Sequence, residues 1–257
     1  MLVSGTNVWK KLGNLMTTKS YQNLMEVIRD RRTSRAFDPS FEIPQEHYNL
    51  ILEAARHGPS GANAQPWHFI VVTEPERKEQ LGDYFVAEAR RRGKLKMKFP
   101  TPNYAGMKSA PGLIVVVGDF RYTRAFPVLG DGSDLDKIYY ENAERILLQS
   151  VAAATMSAHL AATALGYAVW WVTAIGQEEA QRAFKPLLDV PDDLSVLDIM
   201  CFGLPEQPPY KRWKKNLDEI RSWNRFDMSK YQSAEEIDDW ILNARAKVMY
   251  KDESLVD

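Results

Sequence analysis

A single α+β domain with extended ends is predicted by two features of the chain. Four short apolar runs with strand character, at 67–73, 113–117, 167–173 and 196–202, are interleaved with stretches whose apolar residues recur at helical spacing. No Ser/Gly-rich linker divides the 257 residues into halves, and that length is enough to bury a sizeable core.

Residues 20–32 carry Leu24, Val27 and Ile28 at helical spacing and end in Arg29-Asp30-Arg31-Arg32. The loop Thr33-Ser34-Arg35-Ala36-Phe37-Asp38-Pro39 follows. It reads either as a solvated basic turn or as an anion site, because guanidinium forks bind phosphate in bidentate fashion and hydroxyls add donors. Pro44 suits a first helical position, and Tyr48, Ile51, Leu52 and Ala55 make an apolar stripe leading to Gly58-Pro59-Ser60-Gly61-Ala62-Asn63-Ala64-Gln65-Pro66-Trp67. This hinge either turns a corner or holds a ligand with its backbone and amide groups. After it, Trp67 to Thr73 reads as a buried strand.

Pro75 opens a helix to about Arg92 with Leu81, Phe85 and Ala89 inward. Residues 93–110 are rich in Lys, Gly and Pro, and Leu113 to Val117 is a strongly apolar strand. Residues 120–137 form a long loop whose aromatics Phe120, Tyr122 and Phe126 read as exposed, the pattern of a lid, a partner contact or a disordered segment. From about Tyr139 to Leu165 an Ala-rich helix spans about 40 Å, a core helix that can also wall a pocket. Gly166 ends it, and Tyr167 to Thr173 is the third strand. A short helix at 177–188 and a strand at 196–202 follow. Gly203 to Pro209 can be neither helix nor central strand, and Tyr210-Lys211-Arg212-Trp213-Lys214-Lys215 is a second basic cluster. Residues 232–250 read as a final amphipathic helix with Ile237, Trp240, Ile241, Ala244 and Val248 on one face.

Composition narrows the function. A net charge of −1, from 33 Lys+Arg and 34 Asp+Glu, sets up no whole-chain field for nucleic acid or membrane. Cys201 is the only cysteine, which excludes an internal disulfide, a CxxC redox pair and a cysteine zinc site, and fits a reducing, cytoplasmic setting. Residues 1–19 make a poor signal peptide, and no run of about 18 apolar residues announces a membrane helix. Gly58-Pro59-Ser60-Gly61-Ala62 nearly matches a nucleophile elbow, but that motif needs a strand before the serine and a helix after it; here the order is reversed. The four histidines show no metal-ligand spacing, and His68 and His159 read as satisfied core or interface residues. Glycine-rich dinucleotide and triphosphate motifs are absent from the sequence.

What remains is a constellation of two cationic clusters and an amide-rich hinge. The clusters can converge on one dianionic phosphate, and the hinge with the Ala-rich helix could cradle a planar heterocycle. A flavin mononucleotide (FMN) would satisfy both parts.

Three stretches carry a family resemblance. Arg31-Arg32-Thr33-Ser34-Arg35-Ala36-Phe37-Asp38, the hinge continuing into His68-Phe69, and Lys211-Arg212-Trp213-Lys214 before Leu217-Asp218-Glu219-Ile220 closely resemble the nitroreductase family of FMN-dependent oxidoreductases, in that order and spacing. The resemblance spans roughly residues 20–222. It implies an α+β sandwich with a mostly antiparallel central sheet flanked by helices, in an intertwined homodimer with FMN at the interface. Residues 1–19 are then an N-terminal extension, 20–226 the FMN-binding domain and 227–257 a C-terminal helix and tail.

Carried over residue by residue, Arg31, Arg32, Thr33 and Arg35 hold the phosphate and ribityl end, and Arg212 and Lys214 close on the same phosphate. Pro59, Ser60, Gly61 and Asn63 come from the other subunit to line the ring system. Val172-Thr173-Ala174 matches the segment facing the flavin N5 edge, where many relatives have glycine at one or both of the last two positions. The Trp170-Trp171 pair is bulkier than in many relatives, and residues 150–157 lack a Gln-Asn pair that many carry. The resemblance implies NAD(P)H as reductant and an electron-poor acceptor, a nitroaromatic or a quinone, in ping-pong fashion. By position, Tyr104, Arg121, Tyr122 and Phe126 are expected to shape the acceptor pocket. Reductive dehalogenation of the iodotyrosine deiodinase type and flavin binding without turnover are the competing readings.

Overall fold

The computed structural model describes residues 18–95, 104–209 and 213–244. Helix α1 (Lys19–Asp30) is started by Thr18, whose hydroxyl accepts from Tyr21 N. Helix α2 (Gln45–Arg56) follows Pro44 and buries Tyr48, Ile51 and Ala55, the stripe expected from the sequence. Strand β1 (Trp67–Val71), helix α3 (Pro75–Gly93), the single turn α4 (Gly106–Ser109) and strand β2 (Gly112–Gly118) come next. Every residue of β2 is buried, as an unbroken apolar run requires.

Helix α5 (Asp134–Ala164) begins earlier than its apolar pattern suggests. Ser133 caps it, and Asp134 and Asp136 in the first turn suit the positive end of the helix dipole. Strand β3 (Ala168–Val172), helix α6 (Glu178–Leu187) and strand β4 (Ser195–Gly203) complete the core. Beyond it lie the short helices α7 (Leu217–Ile220) and α8 (Ala234–Asp239).

The sheet has the order β1-β2-β4-β3 with every pairing antiparallel. Side chains alternate between its faces. On one face Leu113, Val115, Trp170, Val172, Ile199 and Cys201 pack with residues of α3 and α6. On the other, Ile114, Val169, Met200 and Phe202 pack with α2 and α5. By length and composition α5 could cross a membrane, yet Leu147, Val151, Ala154, Ala158 and Ala162 are buried against α2 and the sheet, as in the central helix of a folded domain.

Several expectations change. Phe126 is 5% exposed and packs on Val116 and Leu147, so it belongs to the core and not to an open loop. His68 is exposed on β1, an edge strand, where the apolar run suggested burial. Of the expected helix at 232–250, α8 is α-helical and Trp240–Ala244 winds with a wider π-type turn, while residues 245–250, with Val248, lie outside the described residues. Its stripe residue Ile237 is 44% exposed among the described residues.

Candidate functional site

The loop after α1 docks on the open edge of β3. Val169 N donates to Arg32 O and Ser34 N donates to Val169 O, so Thr33 sits beside Val169 as a short parallel bridge. Ser34 is buried and its hydroxyl donates to Ala36 O at 2.7 Å, which tightens the turn. From the other side, Gly106 approaches the Arg35 carbonyl so closely that a Cβ there would lie 1.6 Å from that oxygen. The loop is therefore clamped between a strand edge and a helix turn.

Its arginines diverge. Arg35 lays its guanidinium over the Trp170 ring, 5.4 Å from the centroid, on the α3/α6 face of the sheet. Arg31 is partly buried, its charged form disfavoured first by burial and then by the neighbouring charge of Arg32. Arg32 donates to the backbone oxygens of Arg29 and Arg31. Among the described residues, neither Arg31 nor Arg32 has a carboxylate partner, although the surface ion pairs elsewhere are many. Two like charges held together without a counter-ion, with a threonine hydroxyl on the same loop, are donors matched to a phosphate monoester.

The hinge takes three non-glycine residues into the left-handed region: Ala62 at φ 50°, Asn63 at 52° and Gln65 at 50°. Each costs energy that the surroundings must override, a pattern common at ligand clamps. The override comes from α5. Gly61 N donates to Ser150 Oγ at 3.1 Å, and Ser150 Oγ donates to Ile146 O at 2.6 Å. Within the loop, Gln65 N donates to Ser60 Oγ at 3.1 Å. Gly58 lies so near α5 that a Cβ would come within 2.6 Å of Ala154 Cα. Pro59 and Asn63 are exposed, and Ser60 and Gly61 are partly so.

The arginine loop and the hinge do not meet within one chain. The hinge grips α5 at Ser150, whereas the charge of Arg31 bears on His159, about 14 Å further along the helix axis. Thr173 is exposed and Ala174 partly buried just beyond β3. Lys214 is exposed, and Arg212 lies outside the described residues.

Residues 28–204 match the model of the nitroreductase family. The chain belongs to that family. A protein of Archaeoglobus fulgidus, described provisionally as an NADH dehydrogenase/NAD(P)H nitroreductase, is 28% identical over 185 residues, 72% of this chain and 87% of that one. A similarly described protein of Methanothermobacter thermautotrophicus is 27% identical over 193 residues, covering 75% and 83%. The solved NADPH:FMN oxidoreductase of Vibrio harveyi, complexed with NAD+, shares the nitroreductase fold at a TM-score of 0.62 and 19% identity over 85% of this chain and 83% of its own.

The expected acceptor pocket fares differently. Tyr104 is 5% exposed, stacked between Phe85 and Trp170 with ring centroids 5.1 and 5.7 Å away. Arg121 is committed to Asp119 and Asp193. With Phe126 in the core, Tyr122, at 45% exposure, is the one of the four that is neither buried nor held in an ion pair among the described residues. The sequence placed His159 as a satisfied core or interface residue; it is in the core but not satisfied, and the buried Asp198 nearby was missed. His159 is buried, with neither ring nitrogen hydrogen-bonded, and stacks on Trp171 at 5.2 Å. Burial first, and the Arg31 charge second, push its pKa down to about 3, so its ring is neutral near pH 7. Asp198, in the middle of β4, is buried beside Thr155. A carboxylate inside the run Val196 to Phe202 was the visible signal.

Proposed function

We propose that this protein is a soluble, cytoplasmic FMN-dependent oxidoreductase that takes electrons from NADH or NADPH and delivers them, in alternating half-reactions, to an electron-poor acceptor such as a nitroaromatic or a quinone. Within the family assignment, one observation carries the reading: Arg31 and Arg32, partly buried side by side without a carboxylate, on a loop clamped to the edge of β3. Arg31, Arg32 and Thr33 would hold the phosphate and Arg212 and Lys214 would close over them, while Arg35, turned over Trp170, would brace the loop and not reach the ribityl end as the resemblance implied. When bound, the flavin supplies hydride acceptance and donation at N5. The protein orients it, with Thr173 and Ala174 beside its reactive edge, and neutralises the phosphate.

The second half of the site, Pro59, Ser60, Gly61 and Asn63, would come from a second copy of the chain. The uncovered apolar surface supports this. Tyr21, Leu24 and Ile28 stand exposed along α1, which buries nothing, and Trp223, Phe226, Met228 and Tyr231 are each at least 60% exposed. A surface of this kind is one that association covers. Tyr122 is the described pocket candidate left for acceptor contact.

A second reading, reductive dehalogenation of a halogenated phenol, is favoured by the exposed Thr173, whose hydroxyl could donate to N5. Anaerobic stopped-flow tests the proposal. The bound flavin bleaches with NADH or NADPH and recovers its colour on mixing with a nitroaromatic or quinone. Recovery with a halotyrosine alone would transfer the assignment to the second reading; protein that holds flavin but never bleaches would reduce it to a binding module.

A further inference from the structure

The loop that carries the arginines is held at both ends by backbone. Upstream, Val169 N donates to Arg32 O at 3.1 Å and Ser34 N donates to Val169 O at 3.0 Å. Downstream, Asp38 N donates to Leu204 O at 2.9 Å and Glu206 N donates to Ala36 O at 3.2 Å. Arg35 stands between the two sets. Its guanidinium lies over the ring of Trp170, 5.4 Å from the centroid, and Trp170 is 3% exposed. A cation over an indole face is worth more when the pair is desolvated than when it stands in water. Trp170 is itself held: Tyr104 stacks on it with ring planes 21° apart, and Phe85 stacks on Tyr104 at 28°. The seat beneath Arg35 is therefore the end of an aromatic stack rooted in α3.

Neighbouring strand residues face opposite sides of a sheet, and Trp170 and Trp171 do so here. Trp170 packs in the α3/α6 layer, whereas Trp171 stacks on His159 of α5. The loop straddles the β3 edge between them. Arg35 goes to the Trp170 side, and Arg31 stays on the α5 side, where α1 packs and where its charge bears on His159. Backbone bonds fix the ends of the loop; the contact of Arg35 with Trp170 fixes its middle.

We infer that Trp170 is a positioning residue for the cofactor phosphate: by seating Arg35 on the α3/α6 side it holds the loop astride β3 and keeps Arg31 and Arg32 in place to bind. The inference rests on the phosphate assignment made above and adds a division of labour among the arginines. Arg31 and Arg32 meet the ligand, while Arg35 and Trp170 touch no cofactor atom. They keep the loop in its binding-competent form before the ligand arrives. A loop that must be ordered on binding lowers the apparent affinity in proportion to the fraction that is competent. Riboflavin, which has no phosphate, is indifferent to that fraction.

A double-mutant cycle on Trp170→Leu and Arg35→Met tests this, with FMN affinity, riboflavin affinity and urea stability measured for each protein. Each single change weakens FMN binding about tenfold and leaves riboflavin binding unchanged. The double variant binds FMN no worse than either single one. Arg35→Lys, which keeps a cation over the ring, retains most of the FMN affinity that Arg35→Met loses. If Trp170→Leu does not fold, Trp170→Phe takes its place in the cycle with a smaller loss, because the ring stack survives. Losses that multiply in the double variant overturn the inference. So does lowered stability with an unchanged ratio of the two affinities, which is the mark of a core filler alone. Equal loss of riboflavin and FMN affinity in Arg35→Met also overturns it, and puts Arg35 on the flavin itself. Wild-type protein that binds FMN no better than riboflavin defeats the phosphate assignment, and the inference with it.

Discussion

Acid should destabilise this protein through one histidine. His159 is neutral in the fold, with a pKa lowered from 6.5 to about 3 by burial and by the Arg31 charge. The unfolded chain, where the ring is solvated, takes up a proton below about pH 6.5 that the folded chain refuses until about pH 3. Protons bound preferentially to the unfolded state lower stability as pH falls, by about 1.4 kcal/mol for each pH unit inside that window. From neutrality to about pH 5 the loss from this residue alone is about 2 kcal/mol. His159→Phe keeps the ring stacked on Trp171 and removes both unbonded nitrogens. At neutral pH that change relieves buried polar atoms without partners and adds about 1 kcal/mol or more. Urea denaturation of both proteins, at several pH values and one fixed protein concentration, measures the difference directly. The wild type loses stability between pH 6.5 and 5 faster than the variant by the stated amount. Equal pH slopes would refute the claim that His159 is a buried neutral ring beside Arg31.

Three further outcomes follow from the same packing. The pKa of Asp198 is raised by burial, so its contribution favours the fold at acid pH and is lost as pH rises through the folded value; Asp198→Asn therefore melts higher than the wild type near pH 8, and the gap closes on acidification. Gly58→Ala forces a methyl group against the Ala154 backbone and costs about 1 to 3 kcal/mol by thermal melt, whereas Gly93→Ala, with open space around it, costs far less. Leu24→Asp with Ile28→Asp puts charge on the exposed stripe of α1, and sedimentation velocity shows a shift from dimer to monomer with loss of bound flavin.

The sheet strands and the helices that pack on them were legible because each apolar run is cleanly bounded. Leu113 to Val117 has no polar residue, and Pro75, Gly166 and Pro205 punctuate the chain where elements begin or end. The arginine loop was legible as a motif, but its divergence was not. Whether Arg35 lies with Arg31 or over Trp170 depends on how the loop docks on β3, a long-range event that no local pattern encodes. Tyr104 was expected in the pocket from its position in the chain alone; the stack of Phe85 and Trp170, distant in sequence, buries it. Periodicity identified α1 and α8 as amphipathic, but what covers an amphipathic face is a tertiary or quaternary fact. Asp198 was in plain view between Leu197 and Ile199 and passed over as an ordinary strand residue.

The account stands on a phosphate held by Arg31 and Arg32, and paired binding titrations of FMN and riboflavin test that claim most directly. The wild type should bind FMN well in preference to riboflavin, and Arg31→Ala with Arg32→Ala should abolish the preference while leaving riboflavin affinity unchanged. Equal affinity of the wild type for both ligands, or an FMN preference that survives loss of both arginines, would contradict it.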